Sequence, residues 1–189
     1  MTPFKIEDTA LILIDHQVGV SSWVASIDPG ELKRNAALLA RFAKSQGMPV
    51  VLTSSLETHY QGAIVEELQE AVPDAYESRI QRSGAINAWD DPAFVAACHA
   101  TGKSNFVLAG IMTDVCAAPA AISAAAEGYN VKVAVDACGS RSKLADDAAF
   151  GTLTAAGVSL MSTSAMLTEL AKDWTSPAGS ALQRMLAGA

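Results

Sequence analysis

The 189-residue sequence predicts a single doubly wound α/β domain, a parallel six-stranded sheet with helices on both faces. Three observations predict it. Short apolar runs recur that are continuous rather than alternating, as in strands buried on both faces. Segments with helical spacing and recognisable caps lie between those runs. No internal repeat, linker or low-complexity stretch divides the chain. Strands alternating with helices imply right-handed crossovers and hence a parallel sheet.

In chain order, residues 9–14 form an unbroken apolar run that stops at Asp15-His16-Gln17 and reads as the first strand. Asp28 caps the next helix with Pro29 at its first position, residues 32–43 carry its apolar spacing, and Gln46-Gly47 ends it. Residues 50–53 are a second strand, followed by a polar loop at 54–62 and a short helix at 64–71. The irregular region after Pro73 holds a strand at 76–80, and residues 91–101 form a helix opened by Asp90 with Pro92 in its first turn. A central strand at 106–110 closes on Gly110, and an alanine-rich helix runs to Gly128. A strand at 131–135 ends at Asp136, a helix at 144–156 stops at Gly157, and a last strand and helix occupy 158–161 and 164–173. The tail, residues 174–189, contains an amphipathic piece at 181–186.

Composition limits the function. The chain is 50% hydrophobic and 17% charged, a globular balance. A net charge of −7 argues against nucleic acid or an anionic membrane as partner. No apolar run has the length of a membrane span, and the first residues lack the basic-then-apolar pattern of a signal peptide. The three cysteines, Cys98, Cys116 and Cys138, are odd in number and lack metal-ligand spacing, which suits reduced thiols in a cytoplasm.

Cys116 is the candidate nucleophile. It follows the central strand in Gly110-Ile111-Met112-Thr113-Asp114-Val115-Cys116, where Thr113 and Asp114 are good helix caps. A thiol in that first helical turn would meet the positive end of the dipole and unpaired backbone N–H groups. Both would lower its pKa, and the same amides could hold an oxyanion. The alternative is an inert core cysteine. In an open α/β sheet ligands bind beyond the carboxyl ends of the strands. Asp15 ends the first strand, so it shares a crevice with Cys116 if the two strands are neighbours. A carboxylate there can take the thiol proton and return it to a leaving group.

These segments together resemble the isochorismatase-like cysteine hydrolases. Leu11-Ile12-Leu13-Ile14-Asp15-His16-Gln17 is similar to that family's strand ending in Asp-x-Gln, and Gly110 to Cys116 to its Gly-x-x-Thr-Asp/Glu-x-Cys nucleophile motif. Val135-Asp136-Ala137-Cys138-Gly139-Ser140-Arg141-Ser142 resembles its later Asp-Ala segment. Arg82-Ser83-Gly84-Ala85-Ile86-Asn87-Ala88-Trp89 resembles the segment carrying its basic residue. Asn87 to Asp90 and Lys172-Asp173-Trp174 point to the YcaC-type branch. The resemblance implies a Rossmann-like fold and a triad of Cys116, Asp15 and Arg82, the last standing where the family has lysine. Arginine holds charge but is a poor proton carrier, which leaves proton transfer to Asp15. The resemblance further implies a cis peptide at Ile111-Met112, aiming the Met112 and Cys116 amides at an oxyanion. It implies no cofactor, and a homo-oligomer, tetramer or octamer, in which the 174–189 tail packs on a neighbour.

Gln17, Trp23, His59, Trp89 and Met112 are candidates to line the substrate pocket. Related nicotinamidases bind metal through Asp-x-His and further histidines. Here Glu57 and His59 are two ligands without a third, and His16, His59 and His99 are the chain's only histidines, so no metal is expected. Cys98 reads as core, while Cys138 and Ser140-Arg141-Ser142 are placed near the crevice or at the next helix cap. The function expected is hydrolysis of a small amide or carbamoyl compound through a thioester. The competing readings are vinyl-ether hydrolysis of an isochorismate-like acid, a thiol redox or small-molecule-binding protein, and a structural assembly subunit.

Overall fold

The computed structural model describes residues 2–187. Its strands are β1 (Thr9–Ile14), β2 (Val50–Ser55), β3 (Ile80–Arg82), β4 (Asn105–Gly110), β5 (Asn130–Ala134) and β6 (Ser159–Met161). They form one six-stranded sheet in the order β3-β2-β1-β4-β5-β6, with every neighbouring pair parallel. All residues of β1 are buried, as its unbroken apolar run requires.

The helices are α1 (Val18–Ser21), α2 (Pro29–Ser45), α3 (Glu66–Ala71), α4 (Pro73–Glu77), α5 (Pro92–Ala100), α6 (Ala118–Ala126), α7 (Lys143–Ala155), α8 (Thr163–Ala171) and α9 (Pro177–Leu186). They fall into two layers. One gathers α3, α8 and α9 around α2, whose Ala36, Leu39, Ala40 and Phe42 are buried; the other holds α5, α6 and α7. Asp28 caps α2 by accepting from the Glu31 N–H at 2.7 Å, with Pro29 at the first position. No helix among the described residues is long and apolar enough to cross a membrane.

Three local expectations are corrected. Residues 76–79 are not part of a strand, which begins only at Ile80. Pro73 starts α4, Tyr76 lies inside it, and β3 runs on to Arg82. The Tyr76 ring carries the Arg79 guanidinium 4.1 Å from its centroid, so an apolar residue that suggested a strand serves a helix surface. Asp91, not Asp90, caps α5, accepting from Ala93 and Phe94 N–H at 2.9 and 3.1 Å, because Asp90 is still in the 3-10 turn Ala88–Asp90. After β4 comes a wide turn, Thr113–Ala117, and α6 begins only at Ala118.

The tail folds back on its own chain. Ala178, Gly179 and Leu182 of α9 are buried, whereas Trp174 and Leu186 are exposed. Residues 188 and 189, the end of the predicted packing tail, lie outside the described residues.

Candidate active site

Between β1 and β4 the sheet changes direction. From β1 the chain steps outward to β2 and β3, and from β4 it steps the other way to β5 and β6. The connections leaving the two central strands diverge and leave a crevice at their carboxyl ends. Asp15 follows β1 directly with φ of 56°, a left-handed conformation that aspartate tolerates better than most residues. Its N–H donates to the Thr53 carbonyl at 3.0 Å. Arg82, the last residue of β3, reaches across the end of β2. Its Nε donates to Thr53 Oγ1 at 3.1 Å, its Nη1 to the Ala85 carbonyl and its Nη2 to both carboxylate oxygens of Asp15. The side chains of this ion pair are 0% and 2% exposed.

Cys116 reaches the same place from β4. A Cβ on Gly110 would stand 2.9 Å from the Ile14 carbonyl oxygen and 3.2 Å from the Ala117 Cβ. Only glycine lets the Thr113–Ala117 turn close onto the end of β1. The Ile111–Met112 peptide is cis. Ile111 N–H donates to the Ile14 carbonyl at 3.1 Å and Thr113 N–H to the Gly139 carbonyl at 3.0 Å, which ties the turn to both flanking segments.

This turn is not the open helix start that the sequence suggests. The N–H groups of Val115, Cys116 and Ala117 all donate to the Met112 carbonyl, at 3.2, 2.9 and 3.2 Å. Thr113 and Asp114 do not cap a helix: Thr113 lies inside the turn, and the Asp114 carboxylate accepts from Ser140 Oγ at 2.7 Å. Of the two amides expected to face an oxyanion, that of Cys116 is therefore occupied within the turn. That of Met112 bears on the Cys116 sulfur.

The electrostatics follow from this burial. The Cys116 thiol is pushed up to about 12, first by burial and then by the charge of Asp15 and a hydrogen bond to it; Arg82 and the Met112 N–H pull weakly the other way. The expected lowering is thus reversed by burial and by the charge of Asp15, and the turn's other amides, already engaged by the Met112 carbonyl, do not oppose it. Burial also raises the Asp15 carboxyl, against the opposing pull of the Arg82 guanidinium and the thiol hydrogen bond. The resting site is a neutral thiol beside an aspartate whose basicity burial has increased. Redox-sensing cysteines need the opposite, an accessible thiolate. Cys98 and Cys138 are buried and pushed up to about 12 as well; Cys138 is held under the sheet end, its sulfur accepting from Gly110 N–H at 3.3 Å.

Asp15 and Cys116 open onto a cavity of about 220 Å³. Of the predicted wall residues, Gln17, Trp23 and Met112 line it. Gln17 serves as a brace, donating to the Ser55 and Gly62 carbonyls and accepting from Ser55 N–H at 2.8 Å. Trp23 stacks on Tyr60 with centroids 5.1 Å apart, and the Arg141 guanidinium lies 4.9 Å from the Trp23 ring. His59 and Trp89 do not line the cavity. His59 is exposed in the turn after β2. Trp89 belongs to the core, packed on Phe94, Phe106 and Tyr129 with its Nε1–H donating to Glu127 at 2.8 Å. Glu57 is engaged by Ser54 at 2.6 Å and by Arg79 at 2.6 and 2.8 Å, so its carboxylate does not join His59. Asp136, a predicted strand end, accepts from Thr163 N–H and Oγ1 at 2.7 Å and holds the start of α8.

Sequence reasoning missed Leu56, Gln61, Ala85 and Ile86 as wall residues. All sit in irregular loops, and an exposed isoleucine among Gly, Ala and Asn was the available signal. It also missed His16, fully buried, whose Nε2–H donates to the Ala137 carbonyl at 2.9 Å and whose pKa burial lowers to about 4.

A family model for the isochorismatase domain matches residues 9–165. The probable hydrolase YcaC of Escherichia coli (strain K12) is 41% identical over 167 residues, 88% of this chain and 79% of that protein. The structure of YcaC from Pseudomonas aeruginosa with hexane-2,5-diol and covalent acrylamide superposes with a TM-score of 0.94 at 39% identity, over 99% of this chain and 91% of that one. The E. coli YcaC gene product, described as an octameric hydrolase of unknown specificity, gives a TM-score of 0.90 at 36% identity over 100% and 96%. With the sheet order, the crevice and these matches in agreement, the chain belongs to the isochorismatase family of hydrolases, within its YcaC branch.

Proposed function

We propose that the protein is a cysteine-dependent hydrolase of a small amide or carbamoyl compound, working through a thioester. The observation that carries this reading is that the Cys116 thiol and the buried Asp15 carboxylate line the same small cavity. The covalent acrylamide described for the P. aeruginosa relative supports a reactive nucleophile in this branch, since acrylamide is captured by conjugate addition at its vinyl carbon with its amide left intact.

In this mechanism the sulfur attacks the amide carbon while Asp15 takes the thiol proton, so no free thiolate accumulates. Negative charge develops on the carbonyl oxygen. The Met112 N–H, which bears on the sulfur, donates to that oxygen, and the Cys116 N–H joins by leaving the Met112 carbonyl. Asp15 passes its proton to the departing nitrogen, the C–N bond breaks and an acyl thioester remains. Asp15 then deprotonates a water that attacks the thioester, releasing acid and restoring the thiol. Arg82 takes no proton. Its guanidinium keeps Asp15 ionised and fixed in orientation, which is a role arginine fills as well as lysine.

The test is a screen of small amides with acyl-enzyme trapping by hydroxylamine. Hydroxamate formed by wild type and lost in Cys116→Ser supports the reading; full hydrolysis by Cys116→Ser would exclude it.

We also propose that the chain assembles with copies of itself, as the E. coli relative does, using the exposed Trp174 and Leu186 around α9. Light scattering on wild type and Trp174→Arg checks this; a monomeric wild type would refute it.

A further inference from the structure

The cavity wall carries one acid, Asp15, and no lysine or arginine. Asp15 is already neutralised by Arg82, whose guanidinium is buried and makes hydrogen bonds to Asp15, Thr53 and Ala85. An anionic group entering the cavity would therefore lose its water and find no cation in return, beside a carboxylate. The remaining wall is apolar, with Val20, Trp23, Leu56, Ile86 and Val115 among its residues. Its neutral polar side chains include the Gln17 and Gln61 amides and the Ser55 hydroxyl; Gln17 is engaged by the Ser55 and Gly62 backbone, whereas the Gln61 and Ser55 side chains carry no hydrogen bond among the described residues. At ~30 Å³ per water-sized group, a volume of about 220 Å³ holds about seven such groups. Arg141 sits on the Trp23 ring but is not part of the wall.

We propose that this cavity selects an uncharged primary amide with a compact apolar acyl group, read by Gln61 and Ser55, and rejects acids of the same size. The inference rests on the hydrolase reading for what happens to the amide, but the selection itself is a property of the wall.

Iodoacetamide and iodoacetate test it on the intact protein, because they have nearly the same shape and differ in charge. In both reactions the Cys116 sulfur forms a C–S bond as iodide leaves, and the thiol proton goes to Asp15 and on to solvent. The two rates at Cys116, read by peptide mass spectrometry, are divided by the same ratio for the urea-unfolded chain, which removes intrinsic reactivity. The expected result is a preference for iodoacetamide of about tenfold or more over the unfolded reference, unchanged in Arg141→Gln. Equal or faster reaction with iodoacetate would overturn the proposal, as would no reaction of Cys116 with iodoacetamide. So would a clear fall in the iodoacetate rate on Arg141→Gln, which would make Arg141 an anion receptor.

Butyramide and succinamate separate this inference from the mechanism. Selective labelling of Cys116 without a thioester from any amide would uphold the selection and remove the hydrolase mechanism. Thioester formed as readily from succinamate as from butyramide would uphold the mechanism and remove the selection.

Discussion

The two ends of the sheet each bury a cation against a carboxylate, and they are put to different use. At the carboxyl end Arg82 meets Asp15, with both side chains shielded at 0% and 2% exposure. At the amino end Lys132 of β5 meets Glu169 of α8 at 2.5 Å, at 2% and 20%. Lys132 also lies 4.3 Å from the Phe4 ring centroid, and Glu169 accepts from Phe4 N–H at 2.7 Å, so this pair fastens the N-terminal segment to the sheet. The hollow beside Lys132 is the larger, about 520 Å³ against about 220 Å³, yet no cysteine lines it. A buried charge and a cavity do not by themselves make a reactive centre. The carboxyl end differs in having a thiol on the same cavity wall as the carboxylate, delivered where the strand order diverges.

The contrast breaks most sharply under carboxylate replacement. Asp15→Asn removes the proton acceptor and is expected to lower kcat/KM on a cleaved amide by about 10²–10⁴-fold. Glu169→Gln, at the other end, is expected to leave it within about twofold. Steady-state kinetics on the two variants reads the difference.

Removing the cations compares stability instead. Arg82→Gln strands a fully buried carboxylate and is expected to cost about 3–5 kcal/mol. Lys132→Gln leaves Glu169 partly solvated and is expected to cost about 1–3 kcal/mol. Urea unfolding measures both, and equal losses would erase the distinction.

The carboxyl end also holds His16, whose pKa falls from 6.5 to about 4 in the folded chain. Between those values the unfolded chain binds the proton and the folded one does not. Stability is therefore full above pH 6.5 and declines as pH falls, by about 3 kcal/mol at the lower limit. Urea midpoints against pH should show this slope in wild type and a flatter one in His16→Gln. The smallest effect belongs to Trp89, packed away from the cavity. Trp89→Phe is expected to leave kcat/KM within about twofold, and a larger loss would return it to the site.

How much of this was legible in the sequence depends on the range of the interactions involved. β1 and α2 were readable because an unbroken apolar run and an Asp-Pro cap are local signals. The meeting of Asp15 and Cys116 was readable as a conditional, true if β1 and β4 are neighbours, which they are. The Thr113–Ala117 turn was not readable. Thr113 and Asp114 have the chemistry of helix caps, but Gly139 and Ser140, some 26 residues on, claim the Thr113 amide and the Asp114 carboxylate. The expected effect on the thiol was reversed by burial and by the charge of Asp15, which also depend on the folded surroundings. Trp89 was misplaced for a similar reason: whether a loop aromatic faces a cavity or a core is decided by partners such as Phe106 and Tyr129, remote in sequence.

The central claim is that Cys116 rests as a neutral thiol coupled to Asp15. Its most direct test is the alkylation rate of Cys116 against pH, in wild type and Asp15→Asn. The account predicts a wild-type rate still rising well above the ordinary thiol pKa of ~8.5, with a midpoint that moves down when the charge of Asp15 is removed. A midpoint at or below the ordinary value, or one that Asp15→Asn leaves in place, would contradict it.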